Sequence, residues 1–454
     1  MTILVAAVLV VLPCIPAAQE PASEPEQDSL AVPWSCGTLR VEALGGPSGE
    51  HDPNFDPDDP RFRCGLFSTV PEAQYDPPGL DGGAPVYEVQ LVFHLIENSS
   101  GRGRVGDAVV REQVRALNED FRALRATLGQ RGVDVGIQFV LATRDPEGRP
   151  TTGITHTVND RWFRDRDPHD YSKALAWDVN RYVNVYTNEP DGLNGYVPWY
   201  PQQDYFAGFV SDRIVVRHTA VGRPGRILTH EMGHYLGLRH VFEYGCYELE
   251  DPNHVCQTTG DLICDTPPTT PSSGCPSGKL ACDGRPAPFR NYMDYSGETC
   301  QGEFTPEQAN RMRCTLVNWR TGIGRMLPPS AEPAEALVRN AGDNPYRYWT
   351  SEPWVGETME FFVRNRRHAL ATLLASRSRT ERRLPAGVLL IDPQAGGLIV
   401  LGQGSGAVLY LVQRVPASPS LVGSRLYTQA YLHGDQPAQL TNAVDLRFGV
   451  RGAR

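Results

Sequence analysis

No part of this chain restricts its fold more than His230-Glu231-Met232-Gly233-His234-Tyr235-Leu236-Gly237-Leu238-Arg239-His240. Residues four apart on a helix stack on one face, so His230 and His234 can reach a single metal ion. Glu231 adjoins the first of them and can take a proton from a metal-activated water without ligating the metal itself. Gly237 suits the left-handed conformation that ends a helix and turns the chain back, which returns His240 as a third imidazole. Three ligands leave a fourth position for water, the arrangement of a catalytic zinc site rather than a closed structural one. A solvated helix face can carry the first five residues by chance. The longer pattern, followed downstream by Asn291-Tyr292-Met293-Asp294-Tyr295, is far more restrictive.

At 454 residues the chain exceeds one ordinary core, and two or three domains are expected. Its 40% hydrophobic and 21% charged residues are those of a globular protein. A net charge of -10 argues against a nucleic-acid partner or a polybasic membrane surface, and is compatible with calcium or a cationic substrate. Residues 1–19 read as a signal peptide: Ile3 to Leu12 is apolar and Ile15-Pro16-Ala17-Ala18-Gln19 offers small residues for cleavage, although no Lys or Arg precedes them. That run is too short to span a bilayer, and no later stretch reaches about 18 apolar residues. An integral membrane segment is therefore not expected, and secretion is.

Seven of the ten cysteines fall between Cys246 and Cys314, a density that points to disulfides in an oxidising compartment. A second metal cluster would want paired C-x-x-C spacing, which does not occur. With Cys14 in the signal peptide, nine cysteines remain, so at least one has no intramolecular partner.

Residues 20–83 are rich in Pro, Asp, Glu and Gly and read as a pro-segment or linker. Arg63-Cys64-Gly65 stands out within them. A Cys64 thiolate delivered to the open metal position would displace water and keep the site latent; the competing reading is a Cys36–Cys64 disulfide. Ordered structure is expected over 84–326. Val86 to Ile96 and Val135 to Ala142 read as strands flanking a helix over Val109 to Leu128, and Val183 to Tyr186 and Arg213 to Val216 as short strands. The metal-site helix begins near Arg226, which predicts an α/β (α+β) domain with a mixed sheet behind that helix. Thr305 and Pro306 suit the N-cap and first position of a later helix. Residues 327–340 read as a linker. From 341 to 454, period-two apolar runs between turn residues predict an all-β sandwich, acting either as a spacer or as a module that binds a surface or substrate.

The residues around the motif resemble the pappalysin family of metzincin zinc metalloendopeptidases over roughly Val86 to Trp319. The resemblance rests on Gly225 to Thr229, His240-Val241-Phe242, Cys264-Asp265-Thr266-Pro267, Asn291 to Tyr295, Cys300 and Phe304 to Gln308. It implies a metzincin catalytic domain over 84–326, zinc on His230, His234 and His240, and Glu231 as general base and acid. It also implies Met293 as a hydrophobic floor beneath the ligands and Tyr295 as a donor to the oxyanion. An ordinary core methionine and an ordinary buried tyrosine are the alternatives. Structural calcium in the following loop is implied for Asp261, Asp265 and Thr266, which could equally serve as turn caps. Glu298 falls where Arg-preferring relatives carry an acidic S1′ residue, against the alternative of an exposed loop glutamate. Cys300 matches a disulfide cysteine whose partner is Cys264, Cys275 or Cys282. Arg63-Cys64-Gly65 resembles the family's latency motif.

The expected function is therefore a secreted zinc metalloendopeptidase, made latent, that cleaves proteins or peptides with a preference for Arg or Lys after the scissile bond. The rival is a binding protein that retains a protease scaffold, with its C-terminal β domain as an adhesin or carbohydrate-binding unit.

Overall fold

The strand β1, Tyr87–Glu97, starts with alternating residues and becomes continuously buried, as suits a strand that runs from a half-covered edge into a sheet covered on both faces. The computed structural model describes Cys36, Cys64 and residues 87–450, apart from 125–126, 203–206, 223–225, 247–255, 257–258, 327–333, 340–343, 346, 366–369, 395–396 and 435. The expected signal peptide with Cys14, and the pro-segment other than Cys36 and Cys64, lie outside the described residues.

After β1 comes α1, Asp107–Phe121, whose Val110, Val114, Leu117 and Phe121 recur at helical spacing and enter the core. The helix expected as far as Leu128 stops at Phe121. Ala123 then takes φ 45°, and Leu128–Arg131 forms a short 3-10 turn. The chain continues through β2 (Ile137–Leu141), β3 (Ile154–Val158), α2 (Asp160–Phe163), α3 (Pro168–Leu175), β4 (Val183–Asn188), β5 (Gly195–Tyr196), β6 (Ile214–Arg217), α4 (Ile227–Tyr235), α5 (Pro306–Asn318) and β7 (Gly324–Met326).

These strands form one mixed sheet in the order β2-β1-β4-β6-β5, with β3 and β7 also paired to β1. β1 runs parallel to β2, β3 and β4, and β4 runs parallel to β6, whereas β5 and β7 are antiparallel to their neighbours. The mixed sheet with the metal-site helix packed on it is the architecture expected. Between α4 and α5 the described residues are mostly turns and irregular chain, held by Cys246–Cys282, Cys256–Cys264 and Cys275–Cys300. The partner of Cys300 is therefore Cys275. α5 begins with the expected cap: Thr305 accepts from the Gln308 backbone N–H, and the Gln308 side chain returns to the Thr305 N–H.

The C-terminal part is all β. Its strands are β8 (Glu335–Arg339), β9 (Tyr348–Thr350), β10 (Thr358–Arg364), β11 (Leu370–Ser376), β12 (Arg379–Leu384), β13 (Gly387–Ile391), β14 (Ile399–Gly404), β15 (Val408–Arg414), β16 (Arg425–His433) and β17 (Gln439–Arg447). A three-stranded sheet, β15-β10-β9, and a five-stranded sheet, β14-β11-β16-β17-β8, share one core. Phe361, Val363 and Leu409 of the first meet Leu373, Leu432 and Val444 of the second. This is the expected sandwich. β8 lies inside the stretch read as linker and pairs with β17, because five alternating residues suffice for an edge strand that a partner fixes.

The sandwich docks on α1. Arg111 pairs with Glu360 at 3.4 Å, Glu112 pairs with Arg364, and the Arg115 guanidinium lies 4.1 Å from the Trp349 ring centre.

Candidate active site

α4 carries His230 and His234 one turn apart, both fully buried. The helix ends at Tyr235. Gly237 takes φ +87°, and the Leu238 N–H donates back to the Gly233 carbonyl at 2.9 Å, a left-handed close that only glycine makes without strain. The reversed chain brings His240 in. His234 Nε2 lies 3.1 Å from Nε2 of both His230 and His240.

The opposite ring nitrogens settle the protonation. His230 Nδ1 faces the Tyr292 carbonyl at 2.6 Å and His234 Nδ1 faces the Leu238 carbonyl at 2.8 Å; a carbonyl only accepts, so both Nδ1 atoms carry the hydrogen. His240 Nδ1 meets Glu243 Oε2 at 2.7 Å. Each Nε2 therefore turns a lone pair toward the other two, a repulsive cluster unless a cation sits among them. Tetrahedral zinc would hold such nitrogens roughly 3.3 Å apart. The donor set fits the ion. Burial drives the His230 imidazole to about 3 and the His234 imidazole well below its usual value, with the neighbouring histidines adding to both shifts. Neutral imidazole is the ligating form.

Glu231 is buried beside the cluster. Met293 is fully buried beneath α4, and a side-chain carbon at Gly233 would come within 2.5 Å of its sulfur, so the glycine is what lets the helix settle on the Met293 turn. Tyr295 packs its ring 4.9 Å from His240 and 4.8 Å from Phe242. These residues are brought together as expected. A buried network behind them ties three elements. Asp120 of α1 accepts from Thr229 Oγ1 at 2.6 Å and from the Tyr292 hydroxyl at 2.8 Å, and pairs with Arg226 at 3.2 Å. Burial raises the Asp120 carboxyl to about 6, with Arg226 opposing.

Cys64 is not at the site. It forms a disulfide with Cys314 of α5, which corrects both readings of that residue: it is neither the metal-directed thiol nor the partner of Cys36. A sulfur committed to a disulfide has no thiolate to offer. Cys36 occupies the position instead. It remains outside the disulfides, its residue bridges Gly195 of β5, and its sulfur lies 3.6 Å from Glu231 Oε2. The sulfur and one ring nitrogen from each of His230, His234 and His240 all fall within 4.8 Å of one another.

Asp261 and Thr266 are buried and bonded to each other, and Gln308 donates to Asp261. Asp265 accepts from the Glu307 N–H at 2.9 Å, in the first turn of α5. Burial lifts the Asp261 carboxyl to about 7. Glu298 is half-buried, within electrostatic reach of Arg226. Two residues escaped the sequence reading. Glu243 had a usable signal, a carboxylate three positions after the third ligand. Cys36 had none beyond the odd cysteine count.

Residues 168–317 match the family model described as pregnancy-associated plasma protein-A. An extracellular metalloprotease of Pyricularia oryzae is 30% identical over 291 residues, 58% of this chain and 92% of that relative. An extracellular metalloprotease of Verticillium alfalfae is 37% identical over 51% of this chain and 78% of its own length. Among solved structures, a Tannerella forsythia promirolysin variant is 28% identical, covering 64% of this chain and 95% of that one, with a TM-score of 0.48. The expectation of secretion agrees with these extracellular relatives. Among the described residues no helix is long and apolar enough to cross a membrane.

Proposed function

Because the chain belongs to the pappalysin family of metalloendopeptidases, we propose that it cleaves peptide bonds at the three-histidine centre, with Glu231 as general base and Cys36 as the thiol that keeps it latent. The observation that carries this reading is the convergence of three unprotonated Nε2 atoms, one buried carboxylate and one thiol. Zinc, when bound, supplies Lewis-acid polarisation of the scissile carbonyl and lowers the pKa of a water toward neutrality.

Glu231 is placed to take the proton of the attacking water and to return it to the leaving amine. Tyr295, packed on the ring of His240, would donate to the oxyanion; a phenol suits that role because it donates without changing charge. Glu243 holds His240 by its far nitrogen and keeps Nε2 aimed inward. The Cys36 sulfur takes the position that water needs, which is how one residue makes the zymogen inert.

The finer parts of the proposal concern specificity and calcium. Glu298 would favour Arg or Lys after the scissile bond through a charge-assisted pair. Asp261 and Asp265 would share a calcium in the disulfide-rich loop, which would offset the burial of the Asp261 carboxylate. A calcium-dependent rise in melting temperature supports that site; no rise leaves Asp261 as a turn former.

The deciding experiment is peptide-library cleavage by activated wild-type protein and by Glu231→Ala, read by mass spectrometry. Wild type is expected to cleave before Arg or Lys and to stop when zinc is chelated, while Glu231→Ala binds zinc without cleaving. Chelator-sensitive cleavage by Glu231→Ala would sink the base assignment, and random residues after the cut would remove Glu298 from it.

A further inference from the structure

Cys36 and Cys64 are separated by 27 residues of sequence, 37–63, and the structure fixes both ends of that stretch. Its first end lies on the metal centre through the Cys36 sulfur. Its second end is covalently bound to α5 through Cys64–Cys314, both fully buried against Trp319. α5 is itself fastened to the active-site motif, since Arg311 Nε donates to the Gly237 carbonyl at 2.8 Å. The chain then runs on through 65–86 to β1.

We infer that the Cys64–Cys314 bridge divides the pro-segment into a part that can leave and a part that stays, so that activation requires a cut within 37–63. The inference rests on the reading of Cys36 as the latency thiol. A cut within 37–63 separates Cys36 from the bridge, and the segment carrying the thiol diffuses away. A cut within 65–86 breaks the chain yet releases nothing. Cys36 then remains joined to α5 through 37–63 and the disulfide. A tether of that length reaches at most roughly 100 Å even when fully extended. It holds the thiol at an effective concentration in the millimolar range, so it rebinds after each dissociation. The mature enzyme would accordingly keep Cys64 and a short stretch around it.

The charge pattern of the segment points the same way. Residues 37–63 contain Arg40, Arg61 and Arg63, whereas residues 65–86 contain no Lys or Arg. A peptidase selective for basic residues finds its sites only on the side of the bridge where cutting frees the metal centre.

The test uses two full-length proteins, each with one recognition sequence for a site-specific protease, inserted after Gly49 in one and after Gly82 in the other. Cutting after Gly49 is expected to give full peptidase activity. Cutting after Gly82 is expected to leave less than about a tenth of that activity, with both fragments co-migrating on non-reducing electrophoresis and separating on reduction. Adding Cys64→Ser with Cys314→Ser to the second protein should restore activity after the same cut. Full activity of the Gly82-cut protein with its bridge intact would overturn the inference, as would separation of its fragments without reductant. Should the double serine variant fail to fold, the electrophoresis and activity of the Gly82-cut protein still decide. Cys36→Ala distinguishes the underlying reading. If the uncut Cys36→Ala protein is as latent as wild type, the thiol is not the lock, whereas fragments that stay joined still establish the bridge.

Discussion

Glu243 illustrates how a residue outside the three-histidine cluster orients one of its members. Its carboxylate receives the Nδ1–H of His240 at 2.7 Å in a fully buried position, which fixes the tautomer of that imidazole and strengthens its basicity. Glu243→Gln keeps an acceptor there but removes the charge. Zinc affinity is expected to fall about 10- to 100-fold, measured by competition with a chelator; unchanged affinity would leave Glu243 only a packing role. At this scale the sequence was legible where local geometry sets chemistry. His230, Glu231, His234, Gly237 and His240 are positioned by a helical turn and a helix end, so their spacing alone foretold that they meet. The thiol beside the three histidines was not legible. Arg63-Cys64-Gly65 had the suggestive neighbours, but Cys64 is withdrawn from the histidine cluster by a bridge to Cys314, 250 residues away. No local pattern encodes that choice.

Among the elements, β1, β2, β4 and β6 were recognisable from their apolar runs, and α5 from its N-cap. β3 and β5 were not. β3 faces solvent along much of its length and β5 has two residues, so neither has enough apolar periodicity to register. β1 contains a polar residue whose role is structural. His94 is buried, donates Nε2–H to Asn184 Oδ1 at 2.9 Å, meets Thr155 Oγ1 at 2.9 Å and stacks on Tyr186 at 4.7 Å. Burial lowers its imidazole to about 4, with the bond to Asn184 opposing. A histidine held neutral in the fold contributes stability that is fully present above the unfolded value near 6.5 and is lost as pH falls toward 4. The loss should reach about 2 kcal/mol by pH 5. His94→Gln cannot titrate, so its stability, measured by denaturant unfolding at pH 7.5 and pH 5, should fall less than that of wild type. Equal losses would place the acid sensitivity elsewhere.

For the molecule as a whole, the decisive contact is the docking of the sandwich on α1. Trp349 is buried, with Arg115 of α1 4.1 Å and Arg364 5.1 Å from its ring centre, while Arg111 and Glu112 pair across to Glu360 and Arg364. The same helix sends Val110, Leu117 and Phe121 into the catalytic core and Asp120 to Arg226 and Thr229. One helix thus serves both hydrophobic cores, which the separate periodicities of the two halves gave no means of reading. Trp349→Ala should destabilise the protein by about 3–5 kcal/mol in denaturant unfolding. A change of less than 1 kcal/mol (the scale of an exposed contact) would mean that the sandwich merely abuts α1. The disulfides have a consequence for the organism that makes this peptidase. The loop bearing Met293 and Tyr295 is tied by Cys275–Cys300, and such bridges close only where oxidants are available. A copy still in a reducing cytosol would lack that brace around Met293 and Tyr295, so export would complete the loop as well as carry it away from the cell's own proteins.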